Sequence, residues 1–353
     1  MILRILILPV LSALLYWLSS QAFSYPLAVW VCLVPFGLAL YRSTPRQGLA
    51  SGFVCGFGFW ILAVWWIKNN LVGLVGLPPW QAWGWTFLFC AWHAVPYALF
   101  GYCAARLRWL ERPLGPLSGA AAFVLFRTWF PQVFPGNEAH NLYEWPLLIQ
   151  VLDLGGVPLL LFGVYLVNFL IVRALLCRRE KASPAPAIAA TAVVLALLTG
   201  YGGYRLQGLR RDIAAASSGQ IIRVVSVQPD VPVSGGLLLV PPEDRHNDSS
   251  TALAFSRTAS LRYPGTELLA LPELPTGYTC TPEAAADLPR LSKETGMAVM
   301  APCAAVADSQ GNYYNSVAFA DKSGRMGAEY RKNILVPFGE YIPLERQIGR
   351  AHV

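Results

Sequence analysis

Up to about Tyr204 the chain repeats one pattern: a long apolar run, a short polar break, and another run. Seven runs stand out, Ile2–Leu18, Tyr25–Tyr41, Gly48–Ile67, Trp80–Leu107, Leu117–Phe130, Val157–Cys177 and Ala185–Tyr204. Each approaches the length a helix needs to cross a hydrocarbon core, so the pattern predicts a multi-span α-helical membrane bundle over residues 1–207. The fifth run is short and carries Arg127. An arginine there either faces the bundle interior, where an ionisable group points to function, or reaches out to an interface, and the pattern leaves both open.

After a linker read over Gly208–Gln220 the texture changes. IIRVVSVQ, ended by Pro229, reads as a buried strand, and Asp244–Tyr263 as a helix. TELLALPE is a second strand running into Glu273, and Pro282–Thr295 suits a helix with proline in its first turn. MAVMAPCAAV and NSVAFADKSG predict two more strands. The order strand, helix, strand, helix, strand implies βαβ-like layering.

Composition strengthens the membrane reading: 55% of the 353 residues are hydrophobic and 13% are charged. The formal charge of +7 does not point to nucleic acid, because in the front half Lys and Arg fall at the ends of apolar runs. With the N-terminus in the cytoplasm, the inner loops hold Arg42 and Arg46, then Arg106, Arg108 and Arg112, then Arg173, Arg178, Arg179 and Lys181. The opposite loops hold Lys68 alone. That asymmetry sets the orientation, and an odd number of spans puts everything after Tyr204 on the outer face.

The seven cysteines lack metal-ligand spacing, and nothing in the chain calls for a metal or cofactor. Cys280 and Cys303 can pair if the back half lies outside the cytoplasm. Trp60, Trp65, Trp66, Trp80, Trp83, Trp85 and Trp92 fit interface belts, or a lipid-facing vestibule. The polar, Pro- and Gly-bearing loop FPQVFPGNEAHNLYEW lies on the side of the back half and can help form a substrate entry. Arg127 and His93 are the only intramembrane ionisable candidates, which argues against a transporter.

Glu273, placed directly after a strand, can project into a crevice at the carboxyl end of a sheet, or be an ordinary loop acid. Lys332 and Glu340 sit in YRKNILVPFGEYIP, and spacing alone does not separate catalysis from exposed surface there. The wording around them does. YRKNILVPFGEYIP, the strand ending Pro272–Glu273, the strand end at Val227–Gln228 and LIQVLDLGGVPLLLFGVYLVN resemble the apolipoprotein N-acyltransferase family, a membrane bundle fused to a nitrilase (carbon–nitrogen hydrolase) domain. The resemblance runs from roughly Gly48 to Arg346. Where the family has an aromatic residue before Pro–Glu and a Phe-Pro-Trp motif, this chain has Leu271 and Phe134–Pro135–Gly136.

The resemblance implies a membrane bundle followed by an incomplete α/β domain of the αββα sandwich type over 221–347. It implies Glu273 as general base, Lys332 as oxyanion-stabilising ammonium and Glu340 as supporting carboxylate. The implied reaction moves an acyl chain from a phospholipid, through a cysteine thioester, to the α-amino group of a lipoprotein's diacylglyceryl-cysteine. The implied place is the bacterial inner membrane, with the nitrilase-like domain in the periplasm. In the family the nucleophile follows the lysine. No cysteine follows Lys332 here, so the expectation is a truncated, inactive chain. Residues 348–353, IGRAHV, are expected to be a non-native tail, because they can be back-translated into the start of a common sequencing adapter. Two other readings stand beside it: a non-catalytic protein that binds lipid or lipoprotein, and a membrane-anchored amidase.

Overall fold

The computed structural model describes residues 2–20, 25–73, 75–134, 136–216, 221–227, 249–271, 282–306 and 313–335. The chain divides into two units, Met1–Lys68 with Trp80–Ala215, and Asn69–Pro79 with Ala216–Val353.

The first unit is helical, and all seven apolar runs lie in helices. A π-helical turn, Leu3–Ile7, leads into α1 (Leu8–Ser19). The second run is broken into a 3-10 turn, Pro26–Trp30, and α2 (Val34–Leu40). Then follow α3 (Pro45–Val64), α5 (Pro79–Leu107), α6 (Gly115–Trp129), α7 (Pro146–Ile149), α8 (Leu152–Arg179) and α9 (Ala185–Ala216), while α4 (Ile67–Gly73) falls mostly in the second unit. Among the described residues α3, α5, α8 and α9 are long and apolar enough to cross a membrane. The stretch read as a linker from Gly208 is helical as far as Ala216. Its polar residues interrupt the apolar run without interrupting the helix, since Arg and Gln are good helix formers when exposed.

Local chemistry explains several boundaries. Thr44 and Gln47 form a reciprocal capping box at the start of α3, with Pro45 in the first turn. The break in the second run is held by polar side chains from other helices. Asn168, fully buried on α8, donates to the Val29 carbonyl at 2.9 Å and accepts from Leu33 N–H at 2.8 Å. Ser12 accepts from Phe36 N–H at 2.8 Å. Non-helical backbone inside an apolar bundle persists only when its polar groups are satisfied this way. Helix α8 is itself interrupted at Gly155 and Gly156, the latter with φ +62°, where glycine carries no Cβ penalty.

Close packing of α3 on α5 comes from a row of small residues. A Cβ on Gly52 would collide with the Tyr97 carbonyl and one on Gly48 with the Gly101 carbonyl, and one on Gly56 would lie 2.9 Å from Ala94 Cα. Small residues four apart let two apolar helices approach to backbone contact.

The second unit carries a five-stranded sheet in the order β1 (Val224–Ser226), β2 (Leu268–Ala270), β3 (Ala298–Val306), β4 (Tyr313–Ala320) and β5 (Tyr330–Arg331). The first three strands are parallel, joined through α10 (Ser249–Arg262) and α11 (Pro282–Thr295), as the alternating pattern predicts. The remaining pairs are antiparallel. β5 went unread in the sequence because two residues are too short for a period. One face of the sheet, with Leu269, Val299, Ala301, Ala318 and Ala320, is buried with Ala259 of α10 and Leu288 and Leu291 of α11. The opposite face bears Val224 and Met300, both exposed. Gly296, at φ +68°, ends α11 in the left-handed conformation, and its N–H bonds the Ser292 carbonyl at 2.9 Å.

Candidate functional site

In the second unit the register places Lys332 closely. Ser316 pairs with Arg331, and the ladder continues one residue further, where Lys332 N–H donates to the Asn315 carbonyl at 2.8 Å. Asn315 pairs with Ala304, four residues beyond Met300, the partner of Ala270 at the end of β2. Lys332 therefore stands at the carboxyl-terminal end of the parallel strands, the end where α/β sheets gather ligand-binding groups. Strand alternation puts it on the face that α10 and α11 leave open, and it is half-buried there.

Its neighbours are pinned. The Arg331 guanidinium lies 4.2 Å from the Tyr314 ring centroid and 3.5 Å from the Glu329 carboxylate. Buried Ser316 donates to that same carboxylate at 2.5 Å. Glu273, Glu340 and the Cys280–Cys303 pairing lie outside the residues, or the side chains, that are described. Among the described residues no group of His, Cys, Asp or Glu is arranged to hold a metal.

The first unit holds a second concentration of polar groups. Arg127 on α6 is almost fully buried, so of the two sequence readings the structure takes the interior one. Its Nη2 lies 3.7 Å from Glu138 Oε2 and donates to the Gly136 carbonyl at 2.8 Å. Glu138 is also fully buried, and it accepts from the Tyr97 hydroxyl at 3.1 Å and the Tyr165 hydroxyl at 2.6 Å. The guanidinium carbon sits 4.9 Å from the Tyr97 ring centroid. A buried charge in an apolar bundle survives only when paired and hydrogen-bonded, and this cluster does both. Arg127 still keeps two donors, Nε and Nη1, without an acceptor among the described residues.

This cluster fastens the loop that the sequence singled out between Phe130 and Trp145. His93 Nε2 accepts from Val133 and Phe134 N–H at 3.2 and 3.4 Å, while Nδ1 lies 2.9 Å from the Phe89 carbonyl. That pattern requires a neutral ring with its proton on Nδ1. Trp92 donates to the Pro131 carbonyl at 2.8 Å, and Asn141 to Ser19 at 2.6 Å. The loop is thus held into the bundle by α1, α5, α6 and α8. Sequence reasoning missed Glu138, Tyr97 and Tyr165. The available signal was an acid in the polar loop, eleven residues from a lone intramembrane arginine.

Comparison with known proteins agrees with both halves. Residues 12–170 match the family pattern of the apolipoprotein N-acyltransferase N-terminal domain, and residues 223–348 that of the carbon-nitrogen hydrolases. Three curated relatives carry the name apolipoprotein N-acyltransferase. The one from Pseudomonas putida is 30% identical over 337 residues, covering 91% of this chain and 62% of the relative. That from Pseudomonas syringae is 29% identical, covering 93% and 63%. That from Chromobacterium violaceum is 30% identical, covering 98% and 65%. The chain therefore spans a little under two thirds of the length of these relatives.

Proposed function

The chain belongs to the apolipoprotein N-acyltransferase family, and from that premise we propose that its residues serve acyl transfer from a phospholipid to a lipoprotein's N-terminal amine. One observation carries the reading: a helical bundle and a carbon–nitrogen hydrolase sheet follow one another in a single chain. Both substrates of such a reaction are membrane-anchored, which calls for a hydrolase fold with its own bundle.

In this reading a cysteine thiolate attacks the lipid ester carbonyl, expels lysophospholipid and keeps the acyl group as a thioester. The α-amino group of diacylglyceryl-cysteine then attacks the thioester and frees the thiolate. Glu273 takes the thiol proton, hands it to the departing lysophospholipid oxygen, and then takes a proton from the attacking amine. Lys332 stabilises the oxyanion of each tetrahedral intermediate. Glu340 supports the lysine from the same loop. The bundle occupies about 1–207 and the hydrolase domain about 221–347, with the N-terminus cytoplasmic and the hydrolase domain periplasmic. The latched loop between Phe130 and Trp145 contributes to substrate entry. No cysteine lies among residues 333–353.

The test joins residues 1–346 to the segment that follows the matching position in the Pseudomonas putida relative. The hybrid is assayed in proteoliposomes with phospholipid and a diacylglyceryl lipopeptide. Acyl transfer by the hybrid, lost on Lys332→Met or Glu273→Gln, supports the reading. A hybrid that only retains lipid favours a non-catalytic binding role, and one that cleaves small soluble amides without acylating the lipopeptide favours an amidase.

A further inference from the structure

Helices α8 and α9 are joined by a short turn and lie open toward it. Far from the turn they are locked. Leu198 of α9 packs on Gly163 of α8, and Gly202 of α9 lies tight against the Leu147 carbonyl of α7. Asp153 accepts from the Tyr201 hydroxyl at 2.8 Å and from Arg205 Nε at 2.6 Å. Nearer the turn Ala187 is buried, while its neighbour Ile188 lines an open gap. Ile171 and Leu175 on one wall and Ile188 and Leu195 on the other enclose an open groove of about 410 Å³, with Thr191 in the wall and Arg178 at the turn end. A volume of this size falls within the range of small-molecule sites.

The charges at its mouth are one-sided. Glu180 is the only acid in the turn, and it is already engaged, by the Tyr41 hydroxyl at 2.9 Å and Arg173 Nη1 at 3.0 Å. Arg178, Arg179 and Lys181 are exposed, and their side chains have no ion-pair partner among the described residues. An apolar slot between membrane helices ending at unpaired cations matches one chemistry: a fatty chain joined to a negative headgroup.

We propose that this groove is a binding site for an anionic phospholipid, with one acyl chain between α8 and α9 and the phosphate at Arg178. A zwitterionic lipid can enter the same slot, but it brings an ammonium against the cations and loses the preference. The site lies wholly within α8 and α9 and stands whether or not the acyl-transfer reading does.

The test uses the full chain in detergent micelles doped with equal amounts of phosphatidylglycerol and phosphatidylcholine, with retained lipid read by native mass spectrometry. Phosphatidylglycerol is expected to exceed phosphatidylcholine by about five-fold, the weight of roughly one cation at a headgroup. Arg178→Gln is expected to bring the two near parity, while Arg106→Gln, on α5, leaves the preference. As a second readout, an Ala192→Trp indole in the groove is expected to be quenched by chain-brominated phosphatidylglycerol more strongly than by the phosphatidylcholine analogue. Equal retention by the unsubstituted chain, an unchanged preference in Arg178→Gln, or quenching blind to headgroup overturns the proposal. So does occupation of the groove by a second copy of the chain, seen as dimer with no retained lipid.

Discussion

The two units solve the problem of polar groups in opposite ways. The bundle buries them: Arg127 against Glu138, Tyr97 and Tyr165 on Glu138, Asn168 on the backbone of the broken second helix. In the sheet unit the charged groups sit at the rim, as in Arg257 and Arg290 with Glu294, or Lys322 with Glu267. The reason is the solvent. In an apolar bundle an unpaired polar group finds no water, so each must be matched by protein, and the matching fixes geometry. At a wet surface an ion pair competes with water and fixes little. Positional precision in this molecule is therefore built inside the bundle, around the loop between Phe130 and Trp145.

The largest effect should come from breaking one half of the buried pair. Arg127→Met strands the Glu138 carboxylate in an apolar interior, and such losses run to about 3–5 kcal/mol. The double variant Arg127→Met with Glu138→Gln removes both charges and should recover most of that loss. Thermal unfolding of the detergent-solubilised chain, followed by intrinsic tryptophan fluorescence, reads the cycle. A double variant whose loss equals the sum of the losses in Arg127→Met and Glu138→Gln alone would show that the pair is not coupled, and the contrast between the units would fail with it.

A middle-sized effect separates the two faces of the sheet. Leu269 is fully buried against the helices, and Leu269→Ala should cost about 2–5 kcal/mol. Met300 on the other face is 37% exposed, and Met300→Gln should fall within about 0.5 kcal/mol. Denaturant unfolding of both variants, read by far-UV circular dichroism, makes the comparison. Equal losses would mean that the second face is covered too, and the placement of Lys332 on an open face would have to be withdrawn.

What the sequence disclosed follows from the same physics. Apolar runs report burial in lipid directly, so the helical bundle was legible. Strand patterning reported β1 to β4, whose apolar residues pack toward the helices. The broken second helix was not legible: Tyr25–Tyr41 is apolar throughout, and its break depends on Asn168 and Ser12, far away in the chain. The small-residue row Gly48, Gly52, Gly56 was readable as a four-residue repeat and was passed over. Lys332 was found by its surrounding words, whereas its place at the carboxyl end of the sheet needed the register of β3, β4 and β5.

The smallest effect tests the rim of the sheet unit. Glu294 accepts from Arg290 Nε at 2.8 Å and from Arg257 Nε at 3.0 Å. These hydrogen bonds, Arg290 first, hold its carboxyl below the ordinary value of 4.5. A carboxylate with a depressed folded value binds fewer protons folded than unfolded. Its stabilising contribution is complete above the ordinary value and disappears as pH falls through the folded one. Thermal midpoints from pH 7 down to pH 3 should therefore drop less for Glu294→Gln than for the unsubstituted chain, with the two curves meeting at the acid end. Raising salt to about 1 M, where the screening length shrinks to about 3 Å, should narrow the gap at neutral pH. Arg127→Met measured under the same two salts should show no such narrowing, since its partner is shielded from solvent ions. A bundle variant as salt-sensitive as the rim variant would remove the distinction between charges buried for position and charges left at the surface.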